Sequence, residues 1–131
     1  MIVVDASVLV AHLDAQDDHH DRAEKLLLDT AEEPLAASSI TLAEVLVGPL
    51  RGGKIGAARS AVRALEIEEV PIPVGAAERL ATLRAHTGLK LPDCCVLLAA
   101  QDVHADAVLT FDERLSRHAH ECRYGWDPDE S

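Results

Sequence analysis

Aromatic side chains are almost missing from this sequence of 131 residues, which contains one Phe, one Tyr and one Trp. Because hydrophobic residues still make up 48% of the chain, the predicted core consists of Leu, Val, Ile and Ala. The sequence also lacks an apolar run of membrane-spanning length, and no basic and then apolar leader precedes the first apolar stretch. We therefore expect a cytoplasmic protein that has no membrane partner.

Cysteine is scarce, and its pattern excludes two classes of small protein. The three cysteines, Cys94, Cys95 and Cys122, are odd in number and have no C-x-x-C spacing, which argues against a disulfide framework and against a zinc knuckle. We expect all three to be small core residues. Histidine is more frequent, but the close pairs His19–His20 and His118–His120 lack the spacing of a zinc enzyme, so surface positions are predicted for them.

Basic residues are in deficit, with 12 against 23 acids and a formal net charge of −11. This balance argues against a general nucleic-acid coat protein, since phosphate binding is largely a cationic effect. The charge is unevenly distributed, however. Residues 12–33 carry eight acids and two bases, whereas residues 45–65 carry four bases and no acid: Arg51, Lys54, Arg59 and Arg63. A solvated helix face and a contact surface for an RNA backbone both remain open for this basic stretch.

Short apolar runs alternate with amphipathic segments along the whole chain. The pattern predicts strands at 2–4, 35–38, 67–72 and 107–110, and helices at 8–13, 19–29, 39–46, 54–65, 75–86 and 93–100, with the third helix stopped by Gly48-Pro49. Such alternation predicts an α/β fold in which helices cover both faces of a parallel sheet. The length indicates one domain over residues 1–131, with a frayed acidic tail at 126–131.

Four acids stand at predicted element junctions in otherwise apolar surroundings: Asp5, Glu44, Asp93 and Asp112. Each also has a purely structural interpretation. Asp5 could cap the first helix, and Thr41-x-x-Glu44 fits a capping box. Asp93 could complement a helix dipole, and Asp112 could be an ordinary turn residue.

If the four acids converge, their chemistry is restrictive. Carboxylates packed at a few ångströms repel each other, and some remain protonated unless a cation joins them. An all-oxygen cluster suits Mg²⁺ or Mn²⁺ better than zinc. The hydroxyls of Ser7 and Thr110, each two residues from a cluster acid, could position water at such a site. A site of this kind is equipped for phosphodiester hydrolysis.

The segments that carry these acids resemble the four signatures of the PIN-domain nucleases. In order, they are Val4-Asp5-Ala6-Ser7, Thr41-Leu42-Ala43-Glu44, Leu91-Pro92-Asp93 and Leu109-Thr110-Phe111-Asp112. Their order and spacing, over nearly the whole chain, are similar to those of the VapC-type toxins of bacterial toxin–antitoxin modules. Two features depart from the usual pattern: Cys94-Cys95 replaces small aliphatic residues, and Glu113 adds a fifth acid beside Asp112.

The resemblance implies a three-layer α/β/α fold around a mostly parallel sheet of four to five strands. It implies a Mg²⁺- or Mn²⁺-dependent endoribonuclease, usually a homodimer, that cleaves RNA and is held inactive by a cognate VapB-like antitoxin. It assigns metal binding and catalysis to Asp5, Glu44, Asp93 and Asp112, with Ser7 and Thr110 as supporting hydroxyls.

Three rival functions remain open at this point. The same fold could cleave another phosphodiester, structured RNA or DNA, since no residue specifies a base. It could also be a catalytically idle regulatory module, although retention of all four acids disfavours that. A phosphatase of the aspartyl-phosphate class also begins with a strand-end Asp, but that class needs a second Asp where Ser7 stands.

Overall fold

The computed structural model describes the backbone of residues 1–123 and the side chains of residues 1–120. The strands in this part of the chain are β1 (Ile2–Val4), β2 (Leu35–Ser38), β3 (Glu68–Val70) and β4 (Ala107–Leu109). The helices are α1 (Ala6–Leu13), α2 (His20–Asp29), α3 (Ser39–Arg51), α4 (Ile55–Ala64), α5 (Ala77–Thr87), α6 (Leu91–Asp102) and α7 (Glu113–Arg123). None of these helices is long and apolar enough to cross a membrane.

The four strands form one sheet in the order β3-β2-β1-β4, and every neighbouring pair is parallel. The prediction of an α/β fold with a parallel sheet is therefore confirmed. Strand β1 lies inside the sheet, with Val3 paired to Ala36 of β2 and to Val108 of β4. The chain first builds outward from β1 through β2 to β3 and then crosses to the opposite side of β1 to form β4. Open sheets bind ligands at such a reversal of strand order.

Alternate residues of the central strands enter two separate cores, one on each face of the sheet. Val3 and Ala36 pack with Leu83 of α5, Leu97 of α6 and Leu115 of α7. On the other face, Ile2, Val4 and Leu35 pack with residues of the first three helices, namely Leu9, Leu27 and Val45. Aliphatic side chains thus supply both cores, as the scarcity of aromatic residues predicts.

Helix α6 is enclosed on nearly all sides, as its uninterrupted apolar run predicts. The six residues Cys94–Ala99 are all buried. Cys94 and Cys95 are free thiols inside the core, which confirms the interpretation of these two cysteines. The side chain of Cys122 and the tail at 126–131 lie outside the described residues. The buried helix therefore fixes the position of Asp93, which lies in its first turn.

The predicted end of α3 at Gly48-Pro49 is wrong, because the helix continues through both residues to Arg51. A proline removes the hydrogen bond of its own nitrogen but leaves those of the residues that follow it. Here the Gly52 nitrogen donates to the Gly48 carbonyl at 3.0 Å, and the Lys54 nitrogen donates to the Pro49 carbonyl at 2.7 Å. The bonds after the proline thus complete the last turn of α3.

Two further differences concern the ends of the sheet. The prediction that the strand at 107–110 lies in the interior is wrong: β4 is an edge strand, and Ala107, Val108 and Leu109 are only half-buried. The strand predicted at 67–72 is shorter, because only Glu68–Val70 pairs with β2. Helix α7 was not predicted, since its polar sequence contains few apolar residues to reveal a helical period.

Candidate active site

Two chain segments meet where the sheet reverses its strand order, at the carboxyl ends of β1 and β4. The Asp5 nitrogen donates to the Leu109 carbonyl at 2.9 Å, so the first residue after β1 lies directly beside the end of β4. Asp5 itself is only 7% exposed. Its position at the end of an interior strand agrees with the prediction from the sequence.

Asp5 is held by two hydroxyl groups, and its side chain makes no capping bond to α1. Ser7 Oγ and Thr110 Oγ1 each donate to Asp5 Oδ2, and both distances are 2.8 Å. The same hydroxyl oxygens accept backbone N–H groups from the segment after β4: Ser7 from Phe111 at 3.0 Å and Thr110 from Asp112 at 3.0 Å. Since each hydroxyl has one hydrogen, both hydrogens are committed to Asp5. The two hydroxyls therefore join the carboxylate of Asp5 to the backbone that carries Asp112.

Asp112 has a structural role in addition to its place in the site. Its Oδ1 atom accepts the backbone N–H of Arg114 at 2.9 Å and that of Leu115 at 3.1 Å. These bonds satisfy free N–H groups in the first turn of α7, which makes Asp112 the cap of that helix. The two bonds to Oδ1 orient the carboxylate, and Oδ2 makes no hydrogen bond with the described residues.

Glu44 lies on α3, and the capping-box interpretation of Thr41 and Glu44 is wrong. The helix begins earlier than that interpretation requires, because Ser38 is its cap and accepts the Ile40 N–H at 3.3 Å. Thr41 is a fully buried helical residue, and its hydroxyl has no hydrogen-bond partner among the described residues. Glu44 is exposed, and no described residue donates a hydrogen bond to its carboxylate.

Asp93 lies in the first turn of α6, where its charge also complements the helix dipole. Burial is the main cause that raises the pKa of Asp93, and the negative charges of Asp5 and Asp112 raise it further. The cations of Lys90 and Arg114 act in the opposite direction and lower this pKa. Neither cation was a predicted site residue, although Lys90 stands three positions before Asp93 and Arg114 two positions after Asp112.

The four predicted acids interact as one electrostatic cluster, called here the carboxylate cluster: Asp5, Glu44, Asp93 and Asp112. Although most of the Glu44 side chain is exposed, partial desolvation of its carboxyl raises its pKa, and the charges of Asp5 and Asp93 add to that increase. Since Asp112 acts on Asp93 as well, every member repels at least one other member. Acids from four separate regions of the sequence are thus brought together at one end of the sheet.

The donor set fits a hard divalent cation, with one qualification. Within the described residues, no group of three or more His, Cys, Asp or Glu side chains is arranged to enclose a metal ion directly. Mg²⁺ does not require such a cage, since it keeps several waters and uses one or two carboxylates. The raised pKa values of Glu44 and Asp93 show that the cluster carries uncompensated negative charge, which a cation would offset.

A groove of about 660 Å³ opens beside Glu44, between α1, α3 and α4. Its lining is mostly apolar and includes Val10, Leu13 and Val45, with Lys54 as the only cation. Of the basic stretch in residues 45–65, Lys54 therefore shares this groove with Glu44 of the carboxylate cluster. Arg51, Arg59 and Arg63 are exposed and do not line this groove. Whether these four residues bind substrate stays a prediction.

The histidines form no metal site within the described residues, but the prediction of surface positions is too simple. His20 is half-buried, and its Nδ1 lies 2.8 Å from the Ala11 carbonyl, where it ties α2 to α1. The ring of His19 packs against that of Phe111, with 5.2 Å between the ring centroids. These contacts connect helices and loops beside the site rather than binding a metal.

Comparison with known proteins agrees with this geometry. The family profile of the PIN domain matches residues 2–121. Mycobacterium tuberculosis VapC20, described as a Sarcin-Ricin loop cleaving toxin, has a similar structure with a TM-score of 0.75 at 17% identity, covering 90% of this chain and 95% of that one.

Two further solved structures are similar. A toxin–antitoxin complex from Klebsiella pneumoniae gives a TM-score of 0.71 at 27% identity over 86% of this chain and 87% of that one. VapBC2 from Rickettsia felis, bound to a DNA fragment from its promoter, gives 0.68 at 19% identity over 89% of this chain and 92% of that one. No curated protein matches the sequence.

Proposed function

We propose that this chain, which belongs to the PIN-domain family, is the toxin ribonuclease of a toxin–antitoxin module. It hydrolyses phosphodiester bonds of RNA and depends on Mg²⁺ or Mn²⁺. The observation that carries the proposal is the mutual repulsion of Asp5, Glu44, Asp93 and Asp112 at the carboxyl ends of β1 and β4. Carboxylates that raise one another's pKa at a ligand-binding end of a sheet are typical of functional sites.

The residues of the site divide the work between binding and positioning. One or two of the four carboxylates would hold the divalent cation directly and the others through its water molecules, while Ser7 and Thr110 fix the direction of Asp5 through their bonds to Oδ2. When bound, Mg²⁺ or Mn²⁺ lowers the pKa of a water molecule and offsets negative charge on the phosphate oxygens. Lys90 and Arg114, which act electrostatically on Asp93, add positive charge beside the substrate phosphate.

A similar structure, described as a toxin–antitoxin complex from Klebsiella pneumoniae, supports a protein partner for this chain. We infer that a VapB-like antitoxin inserts an Arg or Lys into the carboxylate cluster, where a fixed cation satisfies the acids and competes with the metal. The apolar groove beside Glu44 provides surface that the same partner can cover. A structure of the complex with the cluster left open and only remote contacts would contradict this inference.

The test is cleavage of RNA by the purified chain. We expect cleavage with Mg²⁺ or Mn²⁺, no cleavage after chelation, and recovery when the metal is returned. Single-stranded DNA of the same sequence serves as the control substrate, since the rival nuclease function would accept it. Failure to bind Mn²⁺ in a calorimetric titration would instead favour the idle regulatory module.

A further inference from the structure

A second pocket, of about 510 Å³, lies beside the carboxylate cluster and includes Asp112 in its lining. Its lining includes Thr110 and Asp112, which belong to the site, and adds Phe111, Arg22 and Arg117. Phe111 is the only phenylalanine of the chain, and it is half-buried. The pocket therefore places an aromatic ring and two cations next to the reacting end of the sheet.

Planar groups surround the ring of Phe111. The Arg22 guanidinium carbon lies 4.8 Å from the ring centroid, within the range of a cation–π contact. The imidazole of His19 packs against the ring at an angle of 37°. The Phe111 N–H donates to Ser7 Oγ at 3.0 Å, and Ser7 in turn donates to Asp5. The hydrogen bonds that orient Asp5 therefore also fix the backbone from which this ring projects.

The charges of the pocket do not describe a site for phosphate alone. The lining contains two arginines, Arg22 and Arg117, and two acids, Asp112 and Glu113, so its formal charges cancel. Arg117 makes no hydrogen bond or ion pair with a described side chain, so its guanidinium is available to a ligand. A neutral lining with an aromatic face suits a nucleobase, and the available cation suits the phosphate attached to it.

We propose that this pocket is a nucleotide subsite. A base of single-stranded RNA stacks against the part of the Phe111 ring that Arg22 and His19 leave exposed, and Arg117 contacts a phosphate next to the one cleaved. The proposal rests on the ribonuclease function proposed above and adds a contact that positions the nucleotide beside the cleaved bond. Packing of α2 onto the segment after β4 would by itself account for the ring contacts, so the proposal depends on the pocket beside the ring and on Arg117 in its lining.

The test measures binding in an Asp93→Asn background, so that the RNA stays intact. Fluorescence anisotropy gives the Kd for a single-stranded RNA of the cleaved sequence and for a series in which each nucleotide in turn is abasic. We expect Phe111→Leu, which keeps an apolar side chain but removes the ring, to weaken binding by about 5- to 100-fold. We expect Phe111→Trp to retain the binding, because stacking is preserved.

The abasic series locates the contact. Removing the base at one position next to the cleavage site is expected to weaken binding to the background protein. The same abasic RNA should bind Phe111→Leu as well as the intact RNA does. Arg117→Gln is expected to reduce the slope of log K against log salt by about 0.7. Lys25→Gln, an exposed cation of α2 outside the pocket lining, is the matched control and should leave that slope unchanged.

The proposal is overturned if Phe111→Leu, still folded by circular dichroism, binds RNA like the background protein. It is also overturned if the affinity lost in this variant simply adds to the affinity lost at every abasic position. It is overturned as well if the variant loses affinity only for the antitoxin, since the pocket would then serve the protein partner. Failure of the ribonuclease function is distinct from these results, because the wild-type chain would then cleave no RNA with either metal.

Discussion

The strand-end acids and the helix acids of the cluster are held in different ways. Asp5 and Asp112 follow β1 and β4, and each accepts two hydrogen bonds that fix its carboxylate. Glu44 and Asp93 are positioned by the turns of α3 and α6 and accept no hydrogen bond from the described residues. The pKa values of these two are raised, mainly by burial and then by neighbouring carboxylates. One half of the site is thus prearranged, whereas the other half stores electrostatic repulsion that a cation would relieve.

The same chemical change in the two halves should remove activity and yet shift stability in opposite directions. We expect Asp5→Asn and Asp93→Asn each to lower RNA cleavage by more than about 100-fold, because a neutral amide cannot replace an anionic metal ligand. Asp5→Asn weakens two hydroxyl bonds to a buried carboxylate, so it should also destabilise the metal-free protein by about 1–3 kcal/mol. Asp93→Asn relieves repulsion, so its metal-free form should melt at or above the wild-type temperature.

Cleavage rates and thermal melts of both variants check this prediction. Asp29→Asn, an exposed acid at the end of α2, is the control and should change neither quantity. Undiminished cleavage in both site variants would contradict the proposed mechanism. Equal destabilisation by both would contradict the difference between the two halves.

Thr110 allows the prearranged half to be tested without touching an acid. Thr110→Val keeps the shape but removes the hydroxyl that donates to Asp5 and accepts the Asp112 N–H. We expect cleavage to fall by about 10–100-fold, the usual cost of losing a hydrogen-bond partner of a metal ligand. Thr110→Ser, which retains the hydroxyl, should stay close to wild type. If the two variants lose equal activity, the hydroxyl is not the group that matters.

The pH dependence of stability should distinguish the repelling half. A carboxyl whose pKa is raised by folding contributes stability below its unfolded pKa, and this contribution is lost as the pH rises through the folded value. For Glu44 and Asp93 the loss begins near about pH 4 and is complete above their raised pKa values. The difference in melting temperature between wild type and Glu44→Gln should therefore change in favour of the variant across this window.

Thermal melts of metal-free protein from acidic to neutral pH measure this difference. Addition of Mg²⁺ at neutral pH should raise the wild-type melting temperature more than that of Glu44→Gln, because a ligand that binds only the folded state stabilises it. A constant difference between the two proteins at all pH values would show that Glu44 is not under electrostatic strain.

The helix acids were harder to interpret from the sequence than the strand-end acids. A buried β-branched strand is expected inside the sheet of an α/β fold, so the position of Asp5 at the carboxyl end of an interior strand follows from the pattern. For Glu44, the spacing from Thr41 equally fits a capping box, and only the actual start of α3 at Ser39 excludes it. Local spacing cannot reveal where a helix begins when several capping residues stand in a row, as Ser38, Ser39 and Thr41 do.

Contacts between distant segments were the part that the sequence could not supply. Arg114 acts on Asp93, and Arg22 contacts Phe111, although the members of each pair are far apart in the chain. No periodic pattern marks such pairs, because they depend on how the segment after β4 packs against α2 and α6. Helix α7 was missed for a different reason: its polar sequence shows no clear apolar period, and its cap Asp112 was interpreted as a possible turn residue.

Substitutions in the basic stretch, residues 45–65, should have the smallest effect, and they test whether RNA binds beside Glu44. Lys54 lines the groove beside Glu44, whereas Arg59 and Arg63 are exposed on α4 outside that lining. If each cation that contacts a phosphate releases one counterion from single-stranded RNA, Lys54→Gln should reduce the salt slope of binding by about 0.7. The choice of cleavage site should not change, because backbone contacts position the RNA without specifying its sequence.

Anisotropy titrations in the Asp93→Asn background measure the slope, with an Arg59→Gln, Arg63→Gln double variant for comparison. Since these two arginines do not line the groove that Lys54 shares with Glu44, we expect the double variant to change the slope by less than Lys54→Gln does. A larger change in the double variant would place the RNA across α4 instead of along the groove.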